Sequence, residues 1–256
     1  MLRTWLALVM LTCGVARGQA PSYSAAGIVN AIGFGPAPFA PNSVVSIFGT
    51  NLAWDAGIFT PSGSAVLPTQ LDSVSVYVYN HLAPLLMVSQ TQINFLIPSD
   101  EIAGSALVVV VRQGVAGPQV TVNLASAAPT LFPSAGGYVL AEDWNNAGAV
   151  ITPDAPAHAG DTIILFVTGL GSVQVAQGVY DIPSLATSIT NPAGLKVLLD
   201  GTAMDPMYIK YAGLTPGCAG LYQINLLLPA STGNDPLLQV TLGGQSSQSG
   251  LKLTVR

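Results

Sequence analysis

Residues Ser73-Val74-Ser75-Val76-Tyr77-Val78-Tyr79 alternate with a period of two, as a strand with one face on a core should. Leu195-Lys196-Val197-Leu198-Leu199, Leu237-Leu238-Gln239-Val240-Thr241-Leu242 and Leu251-Lys252-Leu253-Thr254-Val255 follow similar rules. The run Ala106-Leu107-Val108-Val109-Val110-Val111 is apolar throughout and stops at Arg112, which predicts a central strand buried on both faces. Turn-forming clusters separate these segments, among them Asp200-Gly201, Gly233-Asn234-Asp235-Pro236 and Gly243-Gly244. With 27 Gly, 19 Pro and no 3.6-residue pattern beyond the N-terminal segment, there is little room for helices. Short strands at this spacing predict an all-β chain of sandwiches with Greek-key connections.

The pattern is written twice. Gln92-Ile93-Asn94-Phe95-Leu96-Ile97-Pro98 returns as Gln223-Ile224-Asn225-Leu226-Leu227-Leu228-Pro229, 131 residues later. Residues 42–52 match 160–170 at an offset of 118, and 84–88 match 206–210 at 122. Residues 106–114 match 236–244 at 130, and 120–125 match 251–256 at 131. The largest jump in offset places an insertion of nine residues around 212–220. Self-similarity in fixed order indicates duplicated structural units. The chain is therefore expected to hold two consecutive β-sandwiches, residues 19–127 and 128–256. Each is large enough to bury a core.

The first 18 residues read differently. Arg3 precedes an apolar core from Trp5 to Leu11, and Ala16-Arg17-Gly18 ends it with small residues at the −3 and −1 positions. This is the pattern of a secretory signal peptide, residues 1–18, cleaved after Gly18. Acylation at Cys13 is the alternative, but Thr12 stands where a small residue is needed. Removing the leader leaves five of the seven Lys and Arg against 12 Asp and Glu, which makes the net charge more negative than −5. Arg112, Lys196, Lys210, Lys252 and Arg256 are scattered and form no basic stripe, so nucleic acid is not an expected partner. No later stretch reaches the ~18 to 20 apolar residues of a membrane helix, so no membrane span is expected in the mature chain. Cys218 alone survives processing. A disulfide-free fold is expected, with Cys218 as a small packing residue in the inserted loop.

Several motifs carry a family resemblance. Residues 41–53, 88–95 and Thr168-Gly169-Leu170-Gly171 resemble a family of secreted domains abundant in acidobacteria of the Solibacter type. So does the segment 211–225, where Cys218 departs from the aromatic or aliphatic residue expected. Each half is also similar to the IPT/TIG class of immunoglobulin-like folds. The resemblance covers residues 30–256 and implies fold and secretion; it implies no activity, cofactor or ligand.

Candidate chemistry is sparse. His158 lies close to Asp161 in the sequence, the pairing of a catalytic base with an orienting carboxylate, but no G-x-S-x-G nucleophile elbow accompanies them. His81 sits in a polar, turn-like context. The pairs Asp100-Glu101 and Glu142-Asp143 could in principle serve glycoside hydrolysis, yet neighbours in a turn usually both face water. Glu142-Asp143-Trp144-Asn145-Asn146-Ala147-Gly148 offers oxygens for Ca²⁺ without the full spacing of a calcium loop, and otherwise reads as a hydrogen-bonded hairpin turn. Trp54 and Trp144, with Asn145, are the candidate ligand contacts; the alternative is that each indole closes the end of a core. Gln92, Asn94, Gln223 and Asn225 recur in both copies. They are read as structural, with each Asn buried and tied to a backbone turn. No catalytic residue, metal site or cofactor is assigned. The expected function is a secreted, non-catalytic surface or matrix module that meets an extracellular protein or polysaccharide. The alternative is a carbohydrate-binding module using loop aromatics, with a hydrolase third.

Overall fold

The computed structural model describes residues 18–60, 66–174, 178 and 180–256. The leader expected over residues 1–18 lies outside them apart from Gly18. The described residues form four antiparallel sheets, with short 3₁₀ turns as the only helical elements.

Ten strands come first: β1 (Ser22–Asn30), β2 (Val44–Thr50), β3 (Gly57–Ile58), β4 (Val74–Val78), β5 (His81–Leu82), β6 (Leu85–Val88), β7 (Gln92–Leu96), β8 (Gly104–Arg112), β9 (Val115–Ala116) and β10 (Val120–Leu124). One sheet runs β1-β2-β7-β6-β3 and the facing sheet β10-β8-β4-β5, with β9 beside β8. In immunoglobulin lettering β1-β2-β7-β6 is A-B-E-D, with β3 added at its edge, and β10-β8-β4-β5 is G-F-C-C′, so the strand order itself identifies the sandwich. Tyr23 ties the two sheets. Its hydroxyl donates to Pro118 O (2.7 Å) and accepts from the Val110 amide (2.8 Å).

The second half adds β11 (Thr130–Leu131), β12 (Ala141–Asp143), β13 (Ala149–Val150), β14 (Thr162–Thr168), β15 (Thr187–Ser188), β16 (Lys196–Leu199), β17 (Thr202–Ala203), β18 (Ile209–Leu214), β19 (Tyr222–Leu227), β20 (Leu238–Leu242) and β21 (Gln245–Ser246). The sheet β13-β12-β14-β19-β18-β15, with β11 beside β14, faces β17-β16-β20-β21. The segment 251–255, matched in sequence to β10, is held by bridges such as Leu237↔Lys252 rather than by a full ladder. Burial follows the pleat. One apolar cluster runs from Tyr23 to Leu124 and a separate one from Ala127 to Val255.

Register matches between the halves. Ser46 pairs with Asn94 and Phe48 with Gln92 in the first sandwich; Ile164 pairs with Asn225 and Phe166 with Gln223 in the second. A slip of one residue would turn each apolar set to the wrong face, so the period-two pattern holds both pairings in place.

The sandwiches meet where β2 begins and β14 ends. The Val44 amide donates to Thr168 Oγ1 (3.4 Å), whose own hydroxyl donates to Gly220 O (2.9 Å). Asn42 Nδ2 donates to the hydroxyl of fully buried Tyr222 (3.2 Å), which in turn donates to Gly171 O. Burial pushes the Tyr222 hydroxyl far above its ordinary pKa, so it stays a neutral donor. Gly220 has φ 73°, and a Cβ there would lie 2.5 Å from Leu96 Cδ2 and 2.7 Å from Val44 Cγ2. Only glycine allows this approach.

Three expectations need correction. In the run Ala106 to Val111 only Ala106, Val108 and Val110 are buried, and Leu107 is exposed, because nothing covers the outer face of that sheet in the described residues. Cys218 is exposed: the inserted loop touches the first sandwich through Gly220 and leaves Cys218 outside. Asn94 and Asn225 are only half-buried, since in both sandwiches the apolar neighbours Ile93, Phe95, Ile224 and Leu226 take the inward positions.

Candidate binding faces

Two residues apart on one strand, Gln92 and Asn94 share the outer face of the first sandwich. Gln92 Nε2 donates to Asn94 Oδ1 (2.9 Å), and the same oxygen accepts from Ser46 Oγ (2.8 Å). The second sandwich repeats this with Gln223 Nε2 on Asn225 Oδ1 (2.9 Å), where Ile164 replaces the serine. The partner of each Asn is therefore a side chain on the same face, not a backbone turn. Each pair leaves the Asn Nδ2 and the Gln Oε1 without a hydrogen bond among the described residues, one donor and one acceptor.

Beside each glutamine stands a phenylalanine in register, Phe48 or Phe166. Phe48 is 38% exposed, and its ring lies 6.2 Å from that of Phe34, itself 64% exposed. Phe132 donates its amide to Phe166 O (3.2 Å), which places it beside Phe166 in the backbone. The row Val29–Ser46–Asn94–Met87–Ile58 crosses the first sheet without a charged side chain. Its counterpart runs Glu142–Ile164–Asn225–Tyr211. Sequence reading found the amides but missed the phenylalanines, although both occupy matched positions in the two copies.

The loop aromatics lie apart. Trp54 follows the end of β2 that points away from the junction. Trp144 opens the turn beside Asp143, which pairs with Ile163 at the start of β14, the remote end of the other sandwich. One face of Trp54 is covered by the Arg112 guanidinium, 4.0 Å from the ring centroid. Arg112 is 2% exposed; its Nη1 donates to Asn51 O (2.7 Å) and its Nη2 to Gln19 O. These two residues close the open end of the first sandwich, beside a cleft of about 260 Å³ that Thr50, Gln90 and Thr91 also line.

Trp144 is 60% exposed on a hairpin turn between β12 and β13. Asp143 Oδ1 accepts from the Asn145 amide (2.9 Å), and Asn145 Oδ1 accepts from the Thr162 amide (2.9 Å). Ala147 and Gly148 complete the reversal at positive φ. Of the oxygens considered for Ca²⁺, Asp143 Oδ1 serves the turn and Asn145 Oδ1 serves the contact with β14. Asn145, exposed like Trp144, also holds the hairpin to β14.

At the histidines, Asp161 Oδ2 accepts from the backbone amide of His158 (2.7 Å) and lies 3.6 Å from its Nδ1, so this carboxylate caps a turn. His81 is drawn to the adjacent acids: its Nδ1 is 3.0 Å from Glu101 Oε1 and 3.7 Å from Asp100 Oδ1. Glu101 is buried rather than solvated as expected. Its Oε1 is near enough to His81 for charge attraction but off line for a hydrogen bond. Desolvation raises the Glu101 pKa above the usual carboxylate range, and nearby His81 opposes part of the rise.

No protein-family model matches the chain. No curated protein matches it in sequence. Solved structures similar to it include a γ-CGTase from alkalophilic Bacillus clarkii, at 15% identity over 93% of this chain and 26% of that one, with a TM-score of 0.29. Another is the Bacteroides ovatus mixed-linkage glucan utilization locus protein SGBP-B, bound to a heptasaccharide, at 10% identity over 94% and 46%, TM-score 0.36. Murine CEACAM1b is similar at 10% identity over 85% and 95%, TM-score 0.22. The chain spans less than half the length of the first two. Superposition this loose carries neither fold nor function from one chain to another.

Proposed function

We propose that this chain is a secreted, non-catalytic module of two immunoglobulin-like sandwiches that docks on an extracellular partner. The observation that supports this reading is the outward trio of one phenylalanine and two amides, set in the same register on both sandwiches. A docking module needs an aromatic at the surface flanked by groups that can still hydrogen-bond; Phe48 is exposed, Phe166 is half-buried, and each has such groups beside it. The hydrogen-bonded junction from Asn42 to Tyr222 keeps the two faces on one body. The export signal read in residues 1–18 sends such a module outside the cell. Loop aromatics acting together are the weaker reading, because Trp54 and Trp144 stand at remote ends and Trp54 is half committed to Arg112.

The test pairs a retention assay with a turnover panel. The purified chain is passed over immobilised extracellular polysaccharides and surface proteins, and incubated with ester, peptide and glycoside substrates. Retention without turnover is expected. Turnover abolished by His158→Ala or Glu142→Gln would overturn the proposal.

A further inference from the structure

We infer that the two Phe–Gln–Asn faces act together as a track for an uncharged polysaccharide chain. The inference rests on the docking reading above and names the ligand class and the surface. Core packing does not explain the trio, because Gln92, Asn94, Gln223 and Asn225 point outward and are half-exposed. Keeping the sheet together does not explain it either: backbone pairing is satisfied in both sandwiches whatever the outward residue. The serine that supports Asn94 has become Ile164 in the second copy, yet the phenylalanine and both amides persist.

The chemistry of the trio fits a sugar. A pyranose presents a face of C–H bonds that lies against an aromatic ring, and a rim of hydroxyls that each donate and accept. The unused Asn Nδ2 and Gln Oε1 offer one donor and one acceptor beside the ring. The row Val29–Ser46–Asn94–Met87–Ile58 has no charge, and the matching row carries only Glu142 at its edge, so neither row offers a cation to a polyanion. A ligand that repeats along its length also suits a protein whose binding face repeats. Val44 at the start of β2 touches Thr168 at the end of β14, so about 24 Å of strand path or less separates Phe48 from Phe166. A polymer that reaches both faces binds far more tightly than it would to either alone.

Affinity electrophoresis of the full chain tests this, with hydroxyethylcellulose, galactomannan or soluble starch in the gel and polygalacturonate as the charged comparison. Retardation is expected in at least one neutral polymer and not in polygalacturonate. Phe48→Ala or Phe166→Ala alone should weaken apparent affinity about 100-fold, and the double variant should migrate as in an empty gel. Circular dichroism and the melting temperature of each variant establish that it is folded. Gln92→Ala combined with Gln223→Ala, which leaves both phenylalanines in place, should give a loss of about 100-fold. Retardation that survives these substitutions but disappears in Trp144→Ala would overturn the track and leave the docking function standing. Preference for polygalacturonate would overturn the neutral ligand. Absence of retardation in all three neutral polymers would overturn the track, whereas the docking proposal falls only if immobilised surface proteins also fail to retain the chain.

Discussion

The inward position at the end of β8 is Arg112 in the first sandwich; at the end of β20 in the second it is Leu242. Both residues pair onward in the same way, Arg112 with Val115 and Leu242 with Gln245. Leu242 fills its place by ordinary apolar burial. Arg112 carries a charge into a comparable place with no ion pair among the described residues, and carbonyl oxygens and the face of Trp54 offset the cost. The closing strand differs too. In the first sandwich β10 makes a five-residue ladder with β8; in the second, residues 251–255 are bridged, and the last turn is clamped by Asp235, which pairs with Arg256 and accepts from Tyr138 (3.1 Å) and the Val255 amide (3.3 Å). One inherited pattern thus tolerates different ends so long as its central register survives.

Breaking the Arg112 plug should have the largest effect. Arg112→Ala is expected to lower unfolding free energy by about 3 kcal/mol in urea melts followed by Trp fluorescence, through orphaned carbonyls and an uncovered indole. Arg112→Leu, which borrows the residue of the second sandwich, should recover part of that loss. Stability equal to wild type in Arg112→Leu would mean that the guanidinium contacts contribute nothing net. At the junction, Gly220→Val forces a β-branched side chain into positive φ against Leu96 and Val44, and should cost about 2 kcal/mol. Faster proteolysis between the sandwiches is the expected sign; an unchanged cleavage pattern would show that their contact is not tight.

The amides offer a finer comparison. Asn94 accepts from Gln92 and Ser46, whereas Asn225 accepts from Gln223. Asn94→Ala should therefore cost about 1 kcal/mol and Asn225→Ala about half as much, measured as shifts in the urea midpoint. Equal losses would indicate that Ser46 adds nothing.

The smallest effect is a divergence with pH. The folded pKa of Glu101 is raised by burial, so its favourable contribution is complete below about 4.3, its unfolded value, and is lost as pH rises through the folded value. The bond from Arg256, helped by those from Tyr138 and Val255, lowers the Asp235 pKa. Its contribution is present above about 3.9 and disappears as pH falls through the folded value. Acidification should firm the first sandwich and loosen the second, seen as opposite shifts in amide exchange. Glu101→Gln and Asp235→Asn should each flatten one of the two trends; parallel trends in the two sandwiches would contradict the assignment.

Alternation, turn residues and the repeated Gln-Ile-Asn segment were enough to derive an all-β chain with a doubled pattern, because side-chain period and turn conformation are local properties. Local pattern could not say which strand lies at a covered face, so the apolar run through Val111 read as doubly buried when half of it meets solvent. Nor could it place Glu101, which is buried only because the loop after β7 folds back beside His81 on another hairpin. The phenylalanines beside the amides belong to β2 and β14, far from β7 and β19 in sequence, and antiparallel pairing alone sets them side by side. The residues of each face were visible in the chain; their meeting is a property of tertiary structure, because register across strands depends on burying both inner faces at once.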